Sequence, residues 1–182
     1  MKQKIIEKIL IPDDIESSVE NNRVILRFNN KENFRRFNFY GIELKKDGNE
    51  ILIESKRANK KELKIVFSTI SHIKNMIKGL KDGFEYKLEI AFVHFPINIE
   101  YDKANHKLII KNFLGEKKNR IAETLPDVDV EINKNIILLK SHNIESAGQT
   151  AANIEKATHV KNRDRRKFQD GIYIIKKPKG EM

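Results

Sequence analysis

Cysteine and tryptophan are absent from the chain, and the 182 residues include only eight glycines and four prolines. Without cysteine there can be no disulfide and no thiolate metal site, which fits a reducing compartment. No apolar run approaches the roughly 18–20 residues that a membrane-spanning helix needs. We therefore expect neither a disulfide-stabilised scaffold nor a membrane partner.

Motifs of catalytic chemistry are missing as well. The five histidines share no metal-ligand spacing such as HxxxH. No glycine-rich phosphate loop, nucleophile elbow or dinucleotide fingerprint occurs, since the glycines stand singly at predicted turns. We therefore expect no enzyme activity, no metal, no cofactor and no small-molecule substrate.

What the chain does have is positive charge, unevenly spread. Lysine and arginine total 36 against 26 acidic residues, a net charge of +10. Residues 156–179 hold nine basic and two acidic residues, residues 1–80 hold seventeen and eleven, and the stretch between is slightly acidic. A localised basic segment is typical of proteins that bind polyanions, although the same residues could form a solvated loop.

The first half of the chain predicts strands followed by one helix. We expect strands at 5–11, 15–19 and 23–28, a polar loop at 29–36, and more β structure from 37 to 53. A helix should follow, with Gly79 as its stop. Its apolar residues recur every three or four positions: Leu63, Val66, Phe67, Ile70, Ile73, Ile77 and Leu80.

The second half repeats this plan. Residues 84–99 are strand-forming with a bend at Pro96, and strands are expected at 107–113, 128–132, 136–139 and 172–175. A helix should run from the cap Asn143 to about Ala157. Both halves carry an apolar-Pro-Asp step, a short strand, an asparagine-rich turn and an apolar strand. We predict an α+β fold built by tandem duplication of a small module, each with an antiparallel-rich β-sheet and one packed helix, at 1–81 and 82–182.

Four stretches resemble one family. They are SHIKNMIKGLKDGFEYKL at 71–88, VHFPINIEY at 93–101, NFLGEKKNR at 112–120 and ATHVKNRDRRKFQDGIYI at 157–174. They are similar to the universal large-subunit ribosomal protein six family in its archaeal and eukaryotic form, and the last stretch matches its C-terminal signature. The signature positions are Val160, Arg163, Arg166, Phe168, Asp170, Gly171, Ile172 and Tyr173. Two departures stand out: Lys156 replaces the usual opening glutamine, and NNKENF at 29–34 replaces a Gly-Pro-Lys-Gly type of turn.

The resemblance implies a structural role in the large ribosomal subunit, on ribosomal RNA near the sarcin–ricin loop and close to where translational GTPases dock. It also implies neighbouring ribosomal proteins as partners and a cytosolic ribosome, of a eukaryote first and an archaeon second. We expect phosphate contacts from the C-terminal cluster, with a second group around 112–120 and a weaker place for His94. These candidates are Lys161, Arg163, Arg165, Arg166, Lys167, Lys176, Lys177, Lys117, Lys118, Arg120 and His94.

Two other functions remain open from the residues. A free RNA-binding regulator or chaperone would carry the same basic segment without being a stable part of the ribosome. An enzyme acting on RNA ranks third, because no paired acid and base or metal constellation is present. Phe168 and Tyr173 are expected to be core residues more than base-stacking ones, and Asp170-Gly171 should form the turn that positions the basic loop.

Overall fold

The computed structural model describes residues 3–38, 41–164 and 166–179. The chain forms two compact units, an N-terminal unit that ends at Gly83 and a C-terminal unit, Phe84–Lys179. Each unit buries its own apolar core between antiparallel sheets and one long helix. The predicted α+β class with repeated sheet modules is confirmed. No helix of the described residues is both long enough and apolar enough to cross a membrane.

The N-terminal unit contains six strands and one helix within its described residues. The strands are β1 (Gln3–Leu10), β2 (Glu16–Glu20), β3 (Arg23–Phe28), β4 (Lys31–Arg36), β5 (Ile42–Asp47) and β6 (Glu50–Ala58), and the helix is α1 (Lys60–Lys81). They form two antiparallel sheets, ordered β1-β6-β5 and β2-β3-β4. The core lies between these strands and α1, around Val24, Ile51, Ile53 and Ile73.

The polar loop predicted at 29–36 is wrong, because most of it is β4. Asn29 and Asn30 both adopt left-handed backbone conformations, with φ of 45° and 62°. Two such residues make a tight hairpin turn whose twist suits the flanking strands. In β4 only Asn33 is buried, so the strand lacks the apolar alternation that would have revealed it. Its hydrogen bonds to β3 settle the conformation.

Helix α1 begins with a reciprocal cap. The side chain of Asn59 accepts from the amides of Lys61 and Glu62, and the Glu62 carboxylate accepts from the amide of Asn59. The predicted stop at Gly79 is wrong: the helix continues to Lys81, and Gly83 has the left-handed φ of 72° that ends a helix. Phe67, expected on the apolar face, is 55% exposed.

The C-terminal unit contains seven strands and one α-helix within its described residues. These are β7 (Phe84–Ala91), β8 (Asn98–Asp102), β9 (Lys107–Lys111), β10 (Arg120–Glu123), β11 (Asp129–Asn133), β12 (Ile136–Ser141), α2 (Ile144–Ala157) and β13 (Gly171–Lys176). The sheets are ordered β11-β12-β7-β13 and β10-β9-β8. Ala147, Ala151 and Ile154 of α2 are buried, and the helix contacts β7, β10, β12 and β13.

Three details of this unit differ from expectation. Residues 92–97 are irregular, so the predicted strand at 84–99 is really two strands, β7 and β8. Phe113 belongs to a 3₁₀ turn, Phe113–Gly115, that follows β9. Strand β10 was not expected, and it is held by pairing with β9. The α2 start is as predicted, since the Asn143 side chain accepts from the amide of Glu145 at 2.9 Å.

Candidate nucleic-acid interface

The basic segment is a loop that joins α2 to β13. Lys161, Arg163, Arg166 and Lys167 are all exposed, and the Arg166 side chain is 92% exposed. Arg165, the fifth predicted cation of this cluster, lies outside the described residues. Four cationic side chains within seven positions therefore face solvent on one loop, where they can reach an anionic partner.

Asp164, the acidic residue among these cations, shapes the loop. Its carboxylate accepts from the amide of Arg166 at 3.0 Å, and its carbonyl accepts from the amides of Lys167 and Phe168. Aspartate commonly closes turns in this way, by accepting from the backbone two residues onward. The acid is therefore part of the scaffold that presents the cations.

Asp170 is fully buried, with a side-chain exposure of 0%. Its Oδ1 accepts from the amides of Val93 at 2.8 Å and His94 at 3.1 Å, and its Oδ2 lies 2.8 Å from Nδ1 of His94. Desolvation raises the pKa of Asp170, but the hydrogen bonds from the His94 ring and the two amides outweigh it, so that its pKa is lowered. Since the carboxylate is then ionised at neutral pH, Nδ1 of His94 donates to it.

A series of side chains, each in contact with the next, begins at this buried carboxylate. The His94 ring stacks on Phe168, with centroids 4.9 Å apart and planes 25° from parallel. On the same phenyl ring lies the Arg163 guanidinium, 4.8 Å from its centroid. Asp170, His94, Phe168 and Arg163 thus form a chain of contacts from the interior to an exposed cation. We call these four residues the stacked column.

The segment around 112–120 joins the same region through its backbone and ring contacts. The Asn112 side chain donates to the carbonyl of Pro96 at 3.1 Å. A β-carbon at Gly115 would lie 3.4 Å from the Phe95 ring, and Gly115 has a left-handed φ of +76°. Any larger residue here would be strained by its backbone and crowded by the ring. The segments at 93–98 and 112–120 are therefore packed together.

Arg120 ties 112–120 to the end of α2. Its Nη1 donates to the carbonyls of Ala157 at 2.9 Å and His159 at 3.0 Å, while Nε and Nη2 form a bidentate pair with Glu116. The guanidinium also lies 4.2 Å from the Phe113 ring centroid. At least four of its five N–H groups are thus used within the protein. The phosphate contact predicted for Arg120 stays a prediction, and one N–H at most is left to make it.

Opposite charges in the region stabilise each other. The hydrogen bond from Arg120 is the largest influence on the pKa of Glu116, which is lowered, with further lowering from the charges of Arg120 and Arg163. Glu116 therefore neutralises part of the local positive charge. Among the described residues, no group of three or more potential ligands could hold a metal ion.

The other predicted cations are placed differently. Lys117 and Lys118 are exposed on the link before β10, directly after Glu116 in the sequence. Lys176 and Lys177 are exposed at the far end of β13, about 17 Å along the strand from Gly171 at a rise of roughly 3.3 Å per residue. The structure therefore brings 93–98, 112–120 and 158–170 together and leaves Lys176 and Lys177 apart.

Sequence reasoning found only part of what holds this site. Phe168 was predicted to be a core residue, and it is half-buried with its ring stacked on that of His94. Asp170 was predicted to form a turn, but its role as the buried acceptor for His94 was missed. Thr158 was not considered, yet its hydroxyl accepts from the amide of Ile172 at 2.9 Å and fastens β13 to the end of α2. The one available signal was the joint presence of the HFPIN and KFQDG stretches.

Comparison with known proteins places the chain in a family. The family model for ribosomal protein L6 matches residues 95–171, which include the basic loop between α2 and β13. The large ribosomal subunit protein uL6 of Methanothrix thermoacetophila is 40% identical over 177 residues, covering 97% of this chain and 99% of that protein. The uL6 of Methanococcus vannielii is 44% identical over 171 residues, covering 94% and 93%, respectively.

A third relative agrees with these two. The uL6 of Aeropyrum pernix is 40% identical over 174 residues, covering 95% of this chain and 94% of that protein. Identity at this level over nearly the whole of both chains includes the N-terminal unit, which the family model does not match. The chain belongs to the ribosomal protein L6 family, whose members are structural, non-enzymatic components of the large ribosomal subunit.

Proposed function

We propose that the C-terminal unit anchors this protein to large-subunit ribosomal RNA through the loop at 158–170, next to the sarcin–ricin loop. The single observation that carries the proposal is the set of exposed cations, Lys161, Arg163, Arg166 and Lys167, on a loop braced by buried polar contacts. Cations on a fixed scaffold lose little conformational freedom when phosphates bind them.

The chemistry expected of this surface is recognition of phosphates and shape. Lysine and arginine neutralise phosphates and release counterions, so binding should weaken steeply with salt. Arg163, stacked on Phe168, can offer its N–H groups as a preformed fork to a phosphate. Folded RNA exposes its backbone and 2′-hydroxyls more than its base edges, so little base specificity is expected.

In this arrangement the predicted cations have four roles. Lys161, Arg163, Arg165, Arg166 and Lys167 make the main phosphate contacts, and Lys117, Lys118 and His94 flank them. Arg120 chiefly holds the segments together, whereas Lys176 and Lys177 reach a separate stretch of RNA. In this position the protein would support the region where translational GTPases dock, among neighbouring ribosomal proteins of a cytosolic, archaeal-type ribosome.

Crosslinking in purified large subunits, mapped on both protein and RNA, tests the proposal. We expect crosslinks from residues 161–167 to RNA beside the sarcin–ricin loop. Crosslinks that come mainly from the N-terminal unit would overturn the choice of surface. If the protein leaves the subunits in high salt, the free RNA-binding regulator would replace the structural role.

Matched charge removals sharpen the test. Lys161→Ala with Lys167→Ala removes two loop cations, while Lys103→Ala with Lys107→Ala removes two exposed cations elsewhere in the same unit. We measure the affinity for large-subunit ribosomal RNA at several salt concentrations. The first pair of substitutions should reduce the slope of log affinity against log salt by about 2, roughly 1 for each phosphate that is no longer neutralised. The second pair should leave that slope unchanged. Equal effects would mean that binding depends on net charge alone.

A further inference from the structure

The N-terminal unit has a groove that the proposed function does not use. It has a volume of about 370 Å³ and lies between the end of β1 and the C-terminal half of α1. On the strand side it is lined by Lys8, Leu10 and Pro12, and on the helix side it runs from Ile70 to Asp82. Leu10 is 71% exposed, so its apolar side chain is open to a partner.

One wall of this groove is a free strand edge. Strand β1 is the outermost strand of the β1-β6-β5 sheet, and among the described residues it pairs with β6 alone. An edge strand presents a row of backbone N–H and C=O groups that can accept another strand. An extended peptide can add to such an edge, with backbone hydrogen bonds giving affinity and side-chain pockets giving selectivity.

The helix wall of the groove has the length of a short strand. Ile70 to Asp82 span 12 steps of α1, about 18 Å at a rise of 1.5 Å per residue. About six extended residues cover that length at roughly 3.3 Å each. Half-buried Ile70 and Ile77 provide apolar contact along this wall.

The charged side chains that line the groove indicate which kind of partner fits it. The lining includes four lysines, Lys8, Lys74, Lys78 and Lys81, against the single acid Asp82. Lys8 pairs with Glu50 at 3.1 Å and Lys81 with Asp14 at 3.0 Å. No described carboxylate pairs with Lys74 or Lys78, so these two remain to meet acidic side chains from outside. They stand one helical turn apart, on the same side of α1.

We propose that this groove docks an extended segment of a neighbouring protein, one that alternates apolar and acidic side chains and adds to the sheet beside β1. Its apolar side chains would contact Leu10, Ile70 and Ile77, and its carboxylates would meet Lys74 and Lys78. RNA fits less well, because phosphates gain nothing from the apolar side chains. A second copy of β1 is disfavoured, because its lysines would lie close to Lys8 of the first copy and repel it.

A photo-crosslinking residue in the groove tests the occupant directly. Leu10 is replaced by p-benzoylphenylalanine in the full chain, which is then incorporated into large subunits. We expect a crosslink to a protein, mapped by mass spectrometry to a segment of alternating acidic and apolar residues. The same replacement at Phe34, which is exposed on β4 and does not line the groove, is the control and should give no such product.

Charge reversal tests the selectivity. Lys74→Glu with Lys78→Glu should reduce the yield of the Leu10-site crosslink about tenfold, since each reversed pair opposes docking by a modest electrostatic energy. Lys60→Glu with Lys64→Glu makes the same change one helical turn apart on exposed residues outside the groove, and should leave the yield within about twofold. Circular dichroism of each free chain shows whether it is folded.

Hydrogen exchange tests strand addition if the charge variants fail to fold. Those amides of β1 that face away from β6 should exchange more slowly in the subunit than in the free protein, because an added strand would bond them along the open edge. A crosslink from the Leu10 site to RNA alone, or no crosslink in intact subunits, would overturn the proposal. So would unchanged exchange at β1. None of these readouts depends on the rRNA site of the C-terminal unit.

Discussion

The two units place their positive charge on different kinds of support. In the C-terminal unit the cations stand on an irregular loop that polar contacts hold in place: Asp170 with His94, Asp164 with the loop amides, and Thr158 with β13. In the N-terminal unit the lysines flank a groove whose other lining side chains are largely apolar, between a strand edge and a helix.

The difference shows that a count of charges does not identify a binding surface. Cations on a loop held by polar contacts suit a partner that is itself polar and charged throughout, such as an RNA backbone. Cations around apolar side chains suit a partner that carries both acids and apolar groups, as protein segments do. The contacts under the charges therefore distinguish the two halves of the molecule.

The largest expected effects compare the two cores. Ile73 of α1 and Ile154 of α2 are each fully buried. Replacing either by alanine leaves a cavity and should lower the free energy of unfolding of its own unit by about 3 kcal/mol. Hydrogen exchange of the strands of each unit measures this. Losses below about 1 kcal/mol would show that the helix of that unit is not packed as described.

The next effect concerns the base of the stacked column. Asp170→Ala removes the acceptor for two amides and for the His94 ring, and should destabilise the C-terminal unit by about 2 kcal/mol. Asp129→Ala, at an exposed position on β11, is the matched control and should change stability by less than about 0.5 kcal/mol. Urea denaturation followed by near-ultraviolet circular dichroism compares them. Similar losses of stability in both variants would show that Asp170 contributes no more than an exposed aspartate does.

Replacing two arginines of the same region by alanine should affect different properties, stability in one case and RNA binding in the other. Arg120→Ala breaks contacts within the protein and should lower stability by about 1.5 kcal/mol with little change in the salt dependence of RNA binding. Arg163→Ala should reduce the salt slope by about 1 and leave stability nearly unchanged. Thermal denaturation and binding titrations at several salt concentrations measure both. The reverse pattern would exchange their roles.

The smallest effect is a dependence on pH. Because the pKa of Asp170 is lower in the folded protein than in the unfolded chain, its ionised form stabilises the fold at neutral pH. That contribution is complete above the ordinary carboxyl pKa of about 3.9 and is lost as the pH falls through the lower folded value. The stability gap between wild type and Asp170→Asn should therefore narrow as the pH falls below about 4. A gap that widens in acid would contradict this assignment.

Much of the fold could be predicted from local patterns. The asparagine cap of α2, the strand from Arg23 to Phe28 and the apolar strand after Gly171 follow from residue types and spacing. Strands β4 and β10 could not be predicted, because they are polar or short and depend on hydrogen bonds to a neighbouring strand. The end of α1 was misplaced for a related reason: Gly79 is buried within the helix, and it is Gly83 that takes the left-handed conformation.

The sequence by itself determined the class of this protein. Alternating apolar residues and asparagine turns indicate α+β modules, the basic C-terminal segment favours a polyanion partner, and the shared stretches indicate the family. Only the tertiary structure decided which residues act together. Asp170 and His94 are 76 positions apart and become partners because β13 pairs with β7. The edge of β1 becomes a groove because α1 lies beside it. Contacts of this kind depend on long-range pairing, which residue spacing does not encode.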